Sequence, residues 1–200
     1  SQDTILLSAE EAIRIEGEQV PLDGTAMGAG KLAFLLRFPV GVVAGITPFN
    51  APFNLACHKV APALAAGNTI VLKAPPQSPR VVSMLVELFA DAGTPAGFVN
   101  LLYGNTVGPA LVRDARVDFV SFTGSSRVGA QIKAASGLRR VALELGGNGT
   151  TIVHSDADVA EAATLCARNS MRLAGQSCIS VQNVMVHESV YDAFLERMVA

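Results

Sequence analysis

Cys178 stands in the stretch LAGQSCISVQ (173–182), directly behind Gly175, Gln176 and Ser177, in a chain with three cysteines. A structural thiol usually sits inside an apolar helix or strand as a small hydrophobe. This one follows a Gly-Gln-Ser break and opens an apolar-leaning run, Ile179 to Val186. Two readings stand at this point: a reactive thiol held at the edge of an element, or a plain buried cysteine. Glu144 ends the apolar segment RVALELGG (140–147) beside two glycines. A carboxylate buried there has its pKa raised by desolvation, which suits a general base. The other reading pairs it with Arg139 or Arg140. Lys73, closing NTIVLKAP (68–75), is either a ligand for hydroxyl or phosphate groups or a surface lysine laying its stem on apolar neighbours.

These residues need a scaffold, and the spacing of apolar runs supplies one. GVVAGITP (41–48), NTIVLKAP (68–75), FVNLLYG (98–104), VDFVSFTG (117–124), RVALELGG (140–147) and TTIVHSD (150–156) are short, continuous and bounded by Gly or Pro. They predict strands buried on both faces. Helical patterns lie between them at 55–67, 79–93, 107–115 and 126–136, with further helices over 158–172 and 188–200. Ser8 reads as the N-cap of a helix ending near Ile15. EGEQVPLDG and KLAFLLRFPVG read as two extended segments around a Gly-rich turn. Alternating strand and helix predicts an α/β fold: a doubly wound, mainly parallel, Rossmann-like sheet with an extended hairpin appendage.

Ligands of such sheets bind beyond the carboxyl ends of the strands. The groups there are Thr47-Pro48-Phe49-Asn50, Lys73-Ala74-Pro75, Tyr103-Gly104-Asn105, Phe122-Thr123-Gly124-Ser125 and Glu144-Leu145-Gly146-Gly147. Any one of them is ordinary loop chemistry. Five at equivalent ends of one sheet point to a site, and a nucleotide is the natural candidate. Neither GxGxxG nor GxxxxGK[ST] occurs. The nearest feature is Gly124-Ser125-Ser126-Arg127-Val128-Gly129, where a strand meets a helix. It serves either a pyrophosphate at the helix N-terminus or a capping box at Ser125 or Ser126.

Composition narrows the classes. A net charge of −2 gives no general attraction to nucleic acid or anionic lipid. Half the chain is hydrophobic and the mean hydropathy is +0.39, which predicts extensive burial or an oligomer surface. Gly, Pro and charges interrupt every apolar run before it reaches membrane-spanning length. Residues 1–20 are acidic and amphipathic, unlike a signal peptide. Three cysteines make no disulfide framework, and the scattered histidines with no CxxC predict no metal site. Reduced thiols in a cytoplasm follow. The Ser start points to processing or to a piece of something longer.

Taken in order, ITPFNAP, VLKAP, SFTGS, LELGGN and GQSC resemble the NAD(P)-dependent aldehyde dehydrogenase superfamily, and the resemblance covers nearly the whole chain. It implies that Cys178 is the nucleophile, attacking an aldehyde carbon to give a thiohemiacetal and, after hydride loss to NAD or NADP, a thioester. It implies an oxyanion held by the Asn50 amide and the Cys178 backbone N–H, and water activated by Glu144. Lys73 then contacts the adenosine ribose, Ser125 the pyrophosphate, and Thr123, Gly124, Leu145 and Gly146 the nicotinamide end. Thr47, Pro48, Phe49, Pro75 and Gly104 complete the implied cofactor site. The implied domains are a helix of the cofactor domain (1–16), an oligomer-forming hairpin (17–38), the NAD(P)-binding domain (39–148) and the start of the catalytic domain (149–200). A homo-oligomer, dimer or tetramer, is implied, with a small aldehyde as substrate.

The departures from the resemblance are specific. Pro76 replaces an acidic residue that binds the ribose hydroxyls of NAD, which opens the way to NADP. Asn148 stands where many members have lysine, as in the lactaldehyde, phosphonoacetaldehyde and glyceraldehyde-phosphate types. Leu173 replaces a frequent asparagine, and Asn183 a frequent arginine. At under half the usual length, the chain lacks most of a catalytic domain by this comparison. Two rivals therefore accompany the main reading: a non-catalytic fragment that binds nucleotide or merely folds, and a thioester passed to coenzyme A.

Overall fold

The computed structural model describes residues 1–199, and the chain divides into two compact units, Ser1–Leu143 and Glu144–Ala200. In the first, α1 (Gln2–Ala12) precedes a small antiparallel hairpin, β1 (Glu18–Val20) and β2 (Ala33–Leu35). Strands β3 (Val42–Ile46), β4 (Thr69–Lys73), β5 (Val99–Leu102), β6 (Phe119–Thr123) and β7 (Arg140–Glu144) follow. They alternate with α2 (Pro52–Ala65), α3 (Pro79–Asp91), α4 (Val107–Arg113) and α5 (Ser126–Ala135).

The five strands form one sheet in the order β5-β4-β3-β6-β7. β3 runs parallel to β4 on one side and to β6 on the other, and β4 runs parallel to β5. From β3 the chain winds outward through β4 to β5, then returns to the far side of β3 through β6. That reversal is the topological switch point of a doubly wound sheet. The central strands are buried because helices cover them. Ile70, Leu72 and Val120 are fully buried, as are Val60 of α2 and Val82 of α3. The sheet's outer strands behave differently. β5 and β7 alternate between half-buried and exposed positions, so the expectation of strands buried on both faces holds only for the centre.

The second unit holds β8 (Thr150–Val153) and β9 (Asn183–Val186), paired in parallel as a separate two-stranded sheet. The run 150–156 thus contributes its first four residues, Thr150–Val153, to this sheet and not to the large one. α6 (Val159–Ser170) makes the crossover that parallel pairing requires. Asp158 caps it by accepting from the Glu161 N–H at 3.0 Å. α7 (Tyr191–Val199) packs on the same small core, built on Val153, Ala163, Cys166 and Phe194. Of the helix expected over 188–200, Ala200 lies outside the described residues.

Two boundaries differ from expectation. α1 begins six residues before Ser8, whose hydroxyl donates to the Thr4 carbonyl oxygen at 2.8 Å inside the helix. Ser8 is a mid-helix residue bonding back one turn. The run after Cys178 does not form one strand: residues up to Gln182 are turn and coil, and β9 starts at Asn183.

Candidate active site

At the carboxyl edge of the large sheet, β3 and β4 are tied together just past their ladder. The Thr47 N–H and hydroxyl both donate to the Lys73 carbonyl oxygen, at 3.4 and 3.2 Å. Lys73 itself is buried at 9% exposure, and desolvation lowers the pKa of its ammonium. It is not the exposed surface lysine that the alternative reading required. Pro75 is buried beyond it, and Gly104 turns the chain after β5 with φ of +104°, a conformation that favours glycine. Pro48 and Asn50 are half-buried and Phe49 is exposed in the loop leading into α2.

Across the switch point, Thr123 is buried at the end of β6, and Gly124 leads to Ser125. The Ser125 hydroxyl accepts from the Val128 N–H at 3.4 Å, so it caps α5. This is a long bond, and it leaves the hydroxyl hydrogen available to a further acceptor. The cap is at Ser125 and is compatible with an anion at the same helix N-terminus.

One residue here escaped sequence reasoning. Lys59, in the middle of α2, is 5% exposed, and its ammonium donates to the hydroxyls of Thr123 at 2.9 Å and Ser121 at 3.2 Å. A charge this buried must be well coordinated. The signal was present in the helix itself. Ala56, Cys57, Val60 and Ala63 form its buried face, and position 59 falls on that face at helical spacing.

In the second unit, Cys178 lies in a turn and is exposed, whereas Cys57 and Cys166 are buried. Burial raises the pKa of both of those thiols. The approach to Cys178 is unusual. Leu173, Ala174 and Gly175 are successive left-handed residues, at φ of 54°, 55° and 73°. Side chains and backbone then close the turn around the thiol. The Ser180 hydroxyl bonds the carbonyl oxygens of Ser177 at 2.5 Å and Gly175 at 3.3 Å, and the Ser180 N–H donates to Ser177 at 3.1 Å.

The glycines after Glu144 explain themselves here. A Cβ built on Gly147 would overlap the carbonyl oxygen of Cys178, so only glycine lets the segment between β7 and β8 approach the thiol turn. Beyond it, the Asn183 side-chain amide donates to the Asn148 Oδ1 at 2.8 Å. Leu145 is half-buried and Gly146 exposed. Glu144 is exposed too, contrary to the burial expected of it on an apolar strand. The strand is an outer one of its sheet, and its even positions face outward. Among the described residues Glu144 forms no ion pair with Arg139 or Arg140, and Arg139 donates instead to the carbonyl oxygens of Asp114 and Ser136. The paired alternative fails as well.

The donors at the sheet edge fit a dinucleotide. A desolvated ammonium, a serine hydroxyl and the first N–H groups of a ten-residue helix stand at the switch point of one parallel sheet. Among the described residues no group of three or more His, Cys, Asp or Glu side chains could hold a metal ion.

The family model for the aldehyde dehydrogenase family matches residues 1–200. The chain belongs to the aldehyde dehydrogenase family. Its relatives include a 3-sulfolactaldehyde dehydrogenase of Priestia aryabhattai, 48% identical over 197 residues, covering 98% of this chain and 41% of that protein. An NADP-dependent glyceraldehyde-3-phosphate dehydrogenase of Streptococcus equinus is 39% identical over 99% of this chain and 42% of its own length. Among solved structures, the NADP complex of the Bacillus halodurans C-125 NADP-dependent glyceraldehyde-3-phosphate dehydrogenase superposes with a TM-score of 0.92 at 37% identity. That match covers 98% of this chain and 42% of that one. This aldehyde dehydrogenase chain therefore spans about two fifths of the length of such relatives.

Proposed function

We propose that this chain carries the cofactor site and the nucleophile of an NAD(P)-dependent aldehyde dehydrogenase that oxidises an aldehyde to a carboxylic acid. The observation that supports it most is the thiol turn. Of three cysteines, Cys178 alone is exposed, in a turn that Gly147 is shaped to approach. A thiolate there adds to an aldehyde carbon, and the backbone N–H of Cys178 offers a hydrogen bond to the oxyanion that forms. When bound, the dinucleotide supplies the hydride acceptor. Lys73, Ser125 and the α5 N-terminus hold its ribose and pyrophosphate. Thr47, Pro48, Phe49, Pro75, Gly104, Thr123, Gly124, Leu145 and Gly146 shape its surroundings. Glu144, exposed at the end of β7, is free to swing toward a water and serve as base.

Both NAD and NADP fit the proposal, because Pro76 puts no carboxylate after Lys73 to repel a 2′-phosphate. A solved relative, PnpE, is in complex with NAD, and the Bacillus protein with NADP. The free thiols agree with a cytoplasmic setting, and no helix of the described residues is long and apolar enough to cross a membrane. The β1–β2 hairpin exposes Phe34, Leu36 and Phe38 around it, which supports a role in a dimer or tetramer.

The test is reduced-nicotinamide formation with NAD and NADP on short aldehydes. Turnover abolished by Cys178→Ala supports the reading. Turnover that survives that change defeats it, and retained cofactor binding without turnover reduces the proposal to nucleotide binding.

A further inference from the structure

Asn148 and Gly149 form the one Asn-Gly pair in the chain; every other asparagine precedes Ala, Leu, Thr, Ser or Val. Such a pair carries a reaction of its own, attack of the glycine backbone nitrogen on the asparagine side-chain carbonyl carbon. A following residue with a Cβ obstructs that approach, and glycine does not. The surroundings leave this pair open to it. Both residues are exposed and lie in the coil between β7 and β8. A Cβ on Gly149 would meet no heavy atom within 4 Å, so nothing packs against that side of its backbone. The Asn183 amide donates to the Asn148 Oδ1 at 2.8 Å and can stay on that oxygen as charge builds there during attack. Among the described residues no hydrogen bond takes the Asn148 Nδ2, the group that must leave.

What flanks the pair gives the reaction a consequence. Just before it, Gly147 lies against the Cys178 carbonyl oxygen with no room for a Cβ. Just after it, Thr150 enters the β8–β9 ladder opposite Asn183. Any change of backbone length must be absorbed between those two fixed points. We propose that Asn148 is a self-modification site whose product alters the approach to the thiol turn. The Gly149 nitrogen bonds to the Asn148 Cγ, the Cγ–Nδ2 bond breaks, and the amide leaves as ammonia with the proton of that nitrogen. Water then opens the imide ring, its hydroxyl going to one carbonyl carbon and its proton to the nitrogen. Opening at Cγ gives aspartate at 148, which keeps an oxygen acceptor for Asn183. Opening at the other carbonyl gives isoaspartate, in which the chain runs through Cβ and Cγ and gains one backbone atom. The segment carrying Gly147 then shifts against the Cys178 carbonyl. The proposal does not depend on the reaction assigned to the thiol, only on Cys178 being exposed.

The experiment incubates the protein at mildly alkaline pH and follows its peptides by mass spectrometry. An isoaspartate-specific methyltransferase is the probe for the lengthened product. Exchange of ammonia for water is expected at residue 148 about tenfold or more faster than at any other asparagine. Gly149→Ala, which the open space at that position accommodates, is expected to slow the exchange about tenfold. Conversion at 148 no faster than elsewhere, or unaffected by Gly149→Ala, overturns the site. The second reading is the rate of iodoacetamide labelling of Cys178 in fresh and converted protein. That rate is expected to change about twofold or more on conversion. It is expected to hold steady in Gly149→Ala incubated alongside, and in freshly prepared Asn148→Asp, which carries the charge without the added backbone atom. An unchanged rate after conversion, or the same change in Asn148→Asp, overturns the link to the thiol turn.

Discussion

The side-chain amide of Asn183 donates to Oδ1 of Asn148 at 2.8 Å, joining the segment between Glu144 and β8 to the first residue of β9, which pairs with Thr150 in the β8–β9 ladder. Each is an amide where the family resemblance expects a cation, lysine at 148 and arginine at 183. Two cations at this separation would repel; two amides bond. The two departures from the family pattern are therefore one feature. Asn148→Ala and Asn183→Ala are expected to be non-additive, with a coupling of about 0.5–1 kcal/mol, the low end for an exposed hydrogen bond. Asn148→Lys alone turns the acceptor into a donor and is expected to cost at least as much. Urea denaturation of the four members of the cycle measures the coupling, and strict additivity would show the bond to be idle.

Gly147→Ala tests the close approach to the thiol turn. The added methyl meets a backbone carbonyl oxygen, which has no rotamer to retreat into. Either the segment carrying residue 147 or the thiol turn must move, at an expected cost of about 1–3 kcal/mol. Because the displaced carbonyl belongs to Cys178, the thiol's alkylation rate is expected to change as well. Wild-type stability together with an unchanged alkylation rate would refute the contact.

Leu173 holds a left-handed conformation that costs a leucine roughly 1–2 kcal/mol and costs asparagine less. Leu173→Asn is expected to stabilise the protein by about 0.5–1 kcal/mol, and Leu173→Val to destabilise it, since β-branching makes positive φ worse. The thermal midpoints of the two variants should move in opposite directions. Movement of both in the same direction would mean that packing, not backbone strain, governs this position.

Lys73 carries a pH signature. Its pKa in the folded chain is lowered by burial, while the unfolded value lies near about 10.4. Between the two the unfolded state binds more protons, so through this group stability rises with pH across that window. Below the folded pKa its contribution is constant and unfavourable. The ammonium needed for a ribose or phosphate oxygen is lost over the same window. Cofactor affinity is expected to weaken at a pH below that of an ordinary lysine, and Lys73→Met to remove that alkaline limb. Titration of cofactor fluorescence against pH for both proteins reads the difference directly.

Much of the fold was legible because hydrophobic period is a local property. Short apolar runs punctuated by Gly and Pro located β3, β4 and β6, and the helical patterns between them located α2, α3 and α5. Cys178, Glu144, Lys73 and Ser125 stood out because polar groups at the ends of apolar runs break that pattern. Burial of Lys73 removed the surface-lysine reading, and only packing could do so. Exposure of Glu144 went against expectation, because a strand's place at the edge of a sheet is set by pairing order and not by its own composition. Ser8 misled because a good capping residue caps only when the helix begins there, and the preceding residues are helix-compatible as well. Lys59 was written on the buried face of α2, but its partners Ser121 and Thr123 lie more than sixty positions away along the chain. The same holds for Asn148 with Asn183 and Gly147 with Cys178. The sequence by itself determined the alternation of elements and the polar groups that end them. Tertiary structure alone decided which distant groups share a hydrogen bond or a van der Waals boundary, because those pairings depend on strand order and turn geometry that no local pattern encodes.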